Sequence, residues 1–481
     1  MSVTAGGHRR AIVALAWPVY VELLAGVVAG IIDVAWVAHL GPAPTAAVAL
    51  ATNLENLVLG LVLIAGAGTT VLIAARPAAD GRRAAMRGGA VLSAVITVVV
   101  VAGGLAFRGP VVGMFFGPGD ARRDALGYLA ISVPGLAVYF GQLMVDAVFK
   151  GLGDTRTPMR LAMGANALIL VLDPTLIYGL GFGVRGAAMA TVTGRAAMLA
   201  VAGVLVRRRI GHDEAAEVHT VAARPASPAQ PAVAALSASS AQPAVAARSG
   251  GGSIAVLEAP AVTAALPRRA ATATARGLAA SALEVARAGA PLGTDFLVRM
   301  AGATALAGVV AGFGVTAVAA YGIGTKAMYF ASMAFYAVRQ AATIHSARSA
   351  PDSAHRITTA VIGVGAVVGA VAAVGYAGAA PWIMAAFTGR AEVVAVGVVF
   401  LRWLALYLLP ISVVISLSGA LAAGRGGNRL LPVTAGGTVV LVVLAHLLAG
   451  PFGLPGVWAA MVASAALQCA ALLVLLRGQR R

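Results

Sequence analysis

The sequence predicts an all-α polytopic membrane protein with twelve transmembrane helices in two pseudo-symmetric six-helix lobes. Three observations lead there. The 481 residues are 60% hydrophobic and only 11% charged, with a mean hydropathy of +0.91, whereas roughly a quarter of a soluble domain is charged. Apolar stretches long enough to cross a bilayer, which takes ~20 residues, recur along the chain. The two halves also repeat one another at a constant offset.

The first span, from about Ala11 to Trp36, follows the basic start His8, Arg9 and Arg10. It is longer than a signal-peptide core and lacks a small-residue cleavage site, so it reads as a retained helix. Apolar segments then cover roughly 46–75, 88–112, 125–149, 159–181 and 186–206. A second set covers roughly 289–311, 317–345, 357–386, 393–423, 429–451 and 456–476. They are rich in Ala and Gly, which let helices approach closely in a bilayer.

Topology follows from the basic residues. With the N-terminus in the cytoplasm, the inner loops and termini hold 19 Lys and Arg residues, the long connection uncounted, and the outer loops five. That bias places both termini inside. It also accounts for the net charge of +18 without nucleic acid, for which no motif is present. The single cysteine, Cys469, excludes a disulfide framework.

Residues 1–209 form the first lobe and 284–481 the second. Between them, 210–283 is built from Ala, Pro and Ser with few bulky side chains, and is expected to be a disordered cytoplasmic linker. Across its C-terminal boundary, Arg276–Arg287 reads as a short interfacial helix. Across the linker, Pro18, Gly41 and Ala46 recur as Pro291, Gly314 and Ala319. Likewise GLGDTRTP (151–158) parallels GRGGNRLLP (424–432), and GFGVRGAAMA (181–190) parallels PFGLPGVWAA (451–460). An even number of spans per half gives both halves one orientation, with the pseudo-symmetry axis along the membrane normal.

At this level of detail the chain resembles the multidrug and toxic compound extrusion (MATE) family. The resemblance rests on WPVYVELLAGVVAGIIDVAWVAHLG (17–41), KGLGDTRTPM (150–159) and LDPTLIYGLGFGVRGAAMATV (172–192), with PLGTDFLVRM (291–300) similar to the DinF-type branch. It implies two lobes around a central cavity and no enzymatic activity. It also implies export of cationic or amphipathic organic compounds against inward flow of protons, with sodium as the alternative ion, by alternating access. No cofactor or metal is implied. The expected partners are the small-molecule substrate and the lipid bilayer, with no nucleic acid, and the expected form is a monomer in the cell membrane. Two rival readings are a flippase for a lipid-linked or amphiphilic precursor, usually with fourteen spans, and a non-transporting scaffold. No zinc-spaced His/Glu set, phosphate loop or nucleophile elbow supports an enzyme.

Ionisable side chains inside a span are costly and default to functional candidates. The first lobe holds Glu22, Asp33, Glu55, Asp146 and Asp173; the second holds Asp295 alone beside Arg299, Lys326, Arg339 and Arg402. Asp33 and Asp173 lie at related depth in the outer half, where two carboxylates can share a proton, and the resemblance assigns both to the family's acidic N-lobe positions. Pro174 frees a helical carbonyl beside Asp173. The family often has Asn four residues before this Asp; here it is Ile169, and Asn166 is the nearest amide. Arg195, deep in the sixth span, needs an anionic partner such as Asp33 or Asp173 and reads as a switch.

Secondary candidates are Glu22, without an adjacent base, and Glu55, which starts the second span. Asp295 reads as the i,i+4 partner of Arg299 and Asp146 as that of Lys150. His446 reads as a hydrogen-bonded structural histidine that could titrate. Tyr139, Gln142, Tyr178, Tyr329, Tyr336 and Gln340 are the candidates for the substrate cavity, where aromatic faces attract organic cations.

Overall fold

The structure is a computed structural model that describes residues 5–222, 266–423 and 427–478. Eleven α-helices are present among the described residues. In order they are α1 (Ala5–Ala38), α2 (Pro42–Ala75), α3 (Ala79–Phe115), α4 (Asp120–Gly151), α5 (Arg156–Pro174) and α6 (Gly183–Ala222). After these come α7 (Leu266–Ala311), α8 (Val315–Arg348), α9 (Ala354–Phe387), α10 (Ala391–Ala423) and α11 (Gly427–Gly478). α11 is two spans joined at Gly453, where the backbone leaves helical geometry with φ 62°. The described chain is therefore an all-α protein of twelve spans, as the apolar segments predict.

The repeat is visible in the backbone. Gly41 and Gly314 precede α2 and α8 with φ of 117° and 92°, and Gly183 and Gly453 open the sixth and twelfth spans with φ of 54° and 62°. Such angles are open to glycine and costly for other residues. Prolines recur inside equivalent helices as well: Pro18 in α1 and Pro291 in α7, Pro110 in α3 and Pro381 in α9, Pro134 in α4 and Pro410 in α10. Each costs a helix hydrogen bond, so their recurrence at matched places marks two copies of one folding plan.

The ends of the connecting segment differ from expectation. The sixth span continues as helix to Ala222, and α7 begins at Leu266 rather than near 284. Alanine explains this: it is the strongest helix former, and low side-chain bulk does not prevent helix. Arg276–Arg287 lies within the continuous α7, not in a separate helix. The rest of the linker expectation concerns residues 223–265, which lie outside the described residues.

Each lobe has its own core. In the second, Trp458 lies 4.5 Å from Phe400 and 5.8 Å from Tyr321 by ring centroids. In the first, Val37, Val48, Val112, Tyr128 and Ile177 pack together. Take the near end of the bundle as the end where α1 begins, and the far end as the α1–α2 turn. Ile12, Ala16 and Val19 of α1 share an apolar cluster with Ala337, Val338 and Ala341 of α8 and Ile357 of α9. That cluster joins the lobes toward the near end. His8 bonds His345 there at 2.9 Å, and Arg348 donates to the Leu152 carbonyl at 3.0 Å. Arg76 pairs with Glu284.

Between α2 and α7 the approach is backbone to backbone. A Cβ on Gly289 would fall on the Ile64 carbonyl, and one on Gly68 would fall on the Val285 carbonyl. Gly289→Val is therefore expected to force the two helices apart and to cost about 1–3 kcal/mol, the usual penalty of overpacking. A lowered melting temperature of the purified protein in detergent checks this. A melting curve that overlays the parent's would show that the contact is not needed.

Candidate functional site: a buried ionisable cluster in the first lobe

The helices carry the acidic residues of the first lobe to two depths. Asp33, near the far end of α1, has its Oδ1 buried without a hydrogen-bond partner, and so has Asp173, whose residue is 1% exposed. The two carboxyls lie within electrostatic reach of one another. Glu55 of α2 also interacts with Asp33. Asp173 sits where α5 gives way, after Pro174, to a π-helical turn over Thr175–Gly179. π-turns of this kind often accompany functional sites. Here the turn also lets Tyr178 donate to the Trp36 carbonyl of α1 at 2.5 Å. Tyr178 thus fastens α5 to the α1 segment that carries Asp33.

Arg195 enters from α6. Its guanidinium lies over the Tyr139 ring, 4.2 Å from the centroid, a favourable cation–π arrangement. Its charge is felt by both Asp33 and Glu55, yet among the described residues it closes no ion pair with either. Asn166 lies one turn before Ile169 with its Nδ2 buried and unpartnered. Ile169 itself fills the space against Gly194, so an apolar contact between α5 and α6 occupies the place of the expected amide.

The structure adds Tyr128 to this group. It is buried on α4, within electrostatic reach of Asp33, Glu55, Asp173 and Arg195. Ser132, one turn on, faces Glu55. The signal that could have found them is the spacing of polar residues along α4.

Glu22 belongs elsewhere. It accepts from Lys150 Nζ at 2.8 Å, tying α1 to α4. This corrects two expectations: Glu22 does have a base beside it, and Lys150 is taken by Glu22 rather than by Asp146. The helical spacing that suggested the Asp146 pair is outweighed by tertiary packing, which brings the Glu22 oxygen to the ammonium first. Asp146 is buried with Oδ1 unpartnered. Gln142 is buried one turn before it.

In the second lobe Asp295 is fully buried and serves two guanidiniums. Arg299 lies at 3.2 Å and Arg339 at 3.3 Å, and the Thr434 hydroxyl donates to it at 2.7 Å. Arg339 also donates to the Leu292 carbonyl at 3.0 Å and lies 5.7 Å from the Tyr336 ring centroid. The i,i+4 pair of the sequence is present, and Arg339 joins it from α8. Gln340, next along α8, is half-buried, Tyr329 is exposed, and His446 is exposed with Nδ1 on its own helix at the Val442 carbonyl. Neither Tyr329 nor His446 joins the acidic cluster. Among the described residues no group of three or more His, Cys, Asp or Glu stands together as a metal site.

Two six-helix repeats, each with ionisable side chains buried inside it, define a multi-pass membrane protein. Its fold is that of solved MATE transporters. Residues 18–175 match the family model described as MatE. The chain is 31% identical over 197 residues to the chloroplastic Protein DETOXIFICATION 44 of Arabidopsis thaliana, with 38% of each chain aligned. It is 29% identical over 194 residues to the probable multidrug resistance protein NorM of Thermotoga maritima, with 39% of this chain and 42% of that protein aligned. The match thus spans about two fifths of these curated relatives. Whole-chain likeness comes from solved structures. An outward-facing multidrug resistance MATE transporter of the MOP superfamily superimposes with a TM-score of 0.77 at 20% identity, over 98% of this chain and 96% of that one. A MOP superfamily transporter from Pyrococcus furiosus gives 0.78 at 19% identity over the same shares.

Proposed function

We propose that the protein is a secondary antiporter of the plasma membrane that exports cationic or amphipathic organic compounds in exchange for protons, as a DinF-type MATE transporter with both termini cytoplasmic. The observation that carries this reading is the far-end cluster of Asp33, Glu55 and Asp173 around Tyr128, with two buried carboxylate oxygens lacking partners. A carboxylate oxygen held so deep without a donor is expensive; a proton bound there removes its charge. Arg195 supplies the competing positive charge from the same lobe. Twelve spans also suit an exporter better than a fourteen-span flippase.

Asp33 and Asp173 are the ion-coupling pair in this reading, with Arg195 tuning them. Proton coupling is favoured over sodium because Ile169 replaces the amide that would complete a ligand set. The aromatic residues Tyr139 and Tyr336 each carry an arginine near the ring face, so any organic cation meets a wall partly occupied by the protein's own cations.

The test is transport of ethidium in proteoliposomes under proton and sodium gradients imposed separately. Export that follows the proton gradient and ignores sodium is expected. Export that follows only sodium would overturn proton coupling, and no movement under either gradient would overturn the exporter reading.

A further inference from the structure

We propose that α4 carries the proton path through the first lobe, ending at Asp146, a second proton site toward the near end. The inference rests on the proton-coupled reading above and extends it to Ser132, Gln142 and Asp146, which that reading does not use.

Tyr128, Ser132, Tyr139, Gln142 and Asp146 are spaced three, four or seven residues apart on α4, which sets them on one helix face. All but the half-buried Tyr139 are at most 8% exposed. A polar stripe buried along a transmembrane helix is costly unless it is used. From Tyr128 to Asp146 it climbs eighteen residues, or about 27 Å at the helical rise of ~1.5 Å per residue.

The stripe joins two separate charged groups. At its far end Tyr128 feels Asp33, Glu55, Asp173 and Arg195. Midway, Tyr139 feels Arg195 and Glu55 on one side and Asp146 and Glu22 on the other. Near its other end, Lys150 is committed to Glu22 Oε1 at 2.8 Å. Two buried oxygens are left over, Glu22 Oε2 and Asp146 Oδ1, neither with a partner. With both carboxyls ionised, this group holds two negative charges against one ammonium. One added proton makes it neutral and supplies a donor where there were only acceptors.

Few other charges face Asp146. Glu22 comes from α1, and Lys150 and Tyr139 from α4 itself. From α2 comes Thr70, whose hydroxyl donates to the Ala147 carbonyl at 3.1 Å. Arg87 of α3 and Arg156 and Arg160 of α5 are exposed. In the transfer, Asp33 or Asp173 gives up its proton and becomes a carboxylate, and the Asp146 carboxylate becomes the acid. Each hydroxyl between them passes its hydrogen on and takes another, and at Gln142, which has no hydroxyl, a water held by its amide does the same, so only O–H bonds break and form. Rungs three or four residues apart on a helix face are ~5–6 Å apart, a gap that a single bridging water closes; the seven-residue step from Ser132 to Tyr139 rises about 10 Å and takes a short chain of waters.

The experiment compares the full chain with Asp146→Asn and Asp146→Glu. Proteoliposomes report ethidium export driven by a pH gradient. Infrared difference spectra between high and low pH report protonated carboxyl groups in the purified protein. Asp146→Asn is expected to lower pH-driven export by about 100-fold, in the range of a lost proton-transfer group. It should also delete one carboxylic-acid band while ethidium still binds in detergent. Asp146→Glu should restore both signals. Should the asparagine variant fail to fold, Tyr139→Phe removes only the hydroxyl of the middle rung and should slow export while leaving the Asp146 band in place.

A parent that exports ethidium beside an Asp146→Asn variant working at the parental rate would overturn the path alone. A parent spectrum with no band that depends on Asp146 would overturn the second site. A parent that moves no ethidium under any gradient would overturn the exporter reading and the path with it.

Discussion

Replacing Asp33 with asparagine is expected to abolish export driven by a pH gradient while the protein still inserts and folds. The amide keeps the shape of the carboxyl and carries no charge into the bilayer, so the change lightens the burden of burial. What it removes is the ability to take up and release a proton. Asp33 is well placed for that role: its Oδ1 is buried without a partner, and Asp173, Glu55 and Arg195 all lie within electrostatic reach. A fall of about two orders of magnitude or more in ethidium export is expected, the scale of a lost acid–base group. Asp173→Asn should behave alike, since the two carboxyls interact. The measurement is export by proteoliposomes matched for protein content. An Asp33→Asn protein that exports at the parental rate would remove Asp33 from the coupling pair, whatever Asp173 did.

The largest loss of stability should come from the other lobe. Asp295→Ala removes the one carboxylate that Arg299 and Arg339 share, and the acceptor of the Thr434 hydroxyl. Two guanidiniums would then be held in a buried site with no counter-charge. Breaking a buried ion pair from one side costs about 3–5 kcal/mol, because the remaining charge stays desolvated. A sharp drop in the melting temperature of the detergent-solubilised protein is therefore expected, with Asp295→Asn falling between the variant and the parent. If Asp295→Ala melts with the parent, the arginines must find other partners and the cluster is not structural.

The spans were legible because their signal is local. Twenty apolar residues in a row, a proline and a glycine at matched offsets, and the Phe-Gly shared by 182–183 and 452–453 can all be read along one dimension. Gly41, Gly314, Gly183 and Gly453 show why: backbone angles that only glycine tolerates leave a residue that can be counted. The Asp295–Arg299 pair was legible for the same reason, being one helical turn. Pairings between helices were not. Lys150 lies one turn from Asp146 yet pairs with Glu22, which is 128 residues away in sequence. Arg339 reaches Asp295 from another helix, and no spacing announces that. Tyr128 does not stand out, because a tyrosine in an apolar helix looks like core; only its neighbours reveal the charges around it. The same holds for α7, whose alanine-rich start reads as an unstructured segment by bulk and as helix by propensity.

The glycine contact between α2 and α7 bears on how often this protein can change shape. Surfaces that interlock through large side chains must reset many rotamers each time they part. Where Gly68 and Gly289 bring main chain against main chain, no side chain stands between them, and the knobs of this seam are few: Leu297 and Phe296 against Gly60, and Ile64 against Gly293. With so few side chains to reset, the two faces can separate and meet again in the same register. What resists parting is then a short apolar seam around Ile12 and Ala341 and polar ties such as His8 to His345 and Arg348 to Leu152. A joint of this kind behaves as a snap fastener: firm when shut, quick to release, and indifferent to how many times it has been opened.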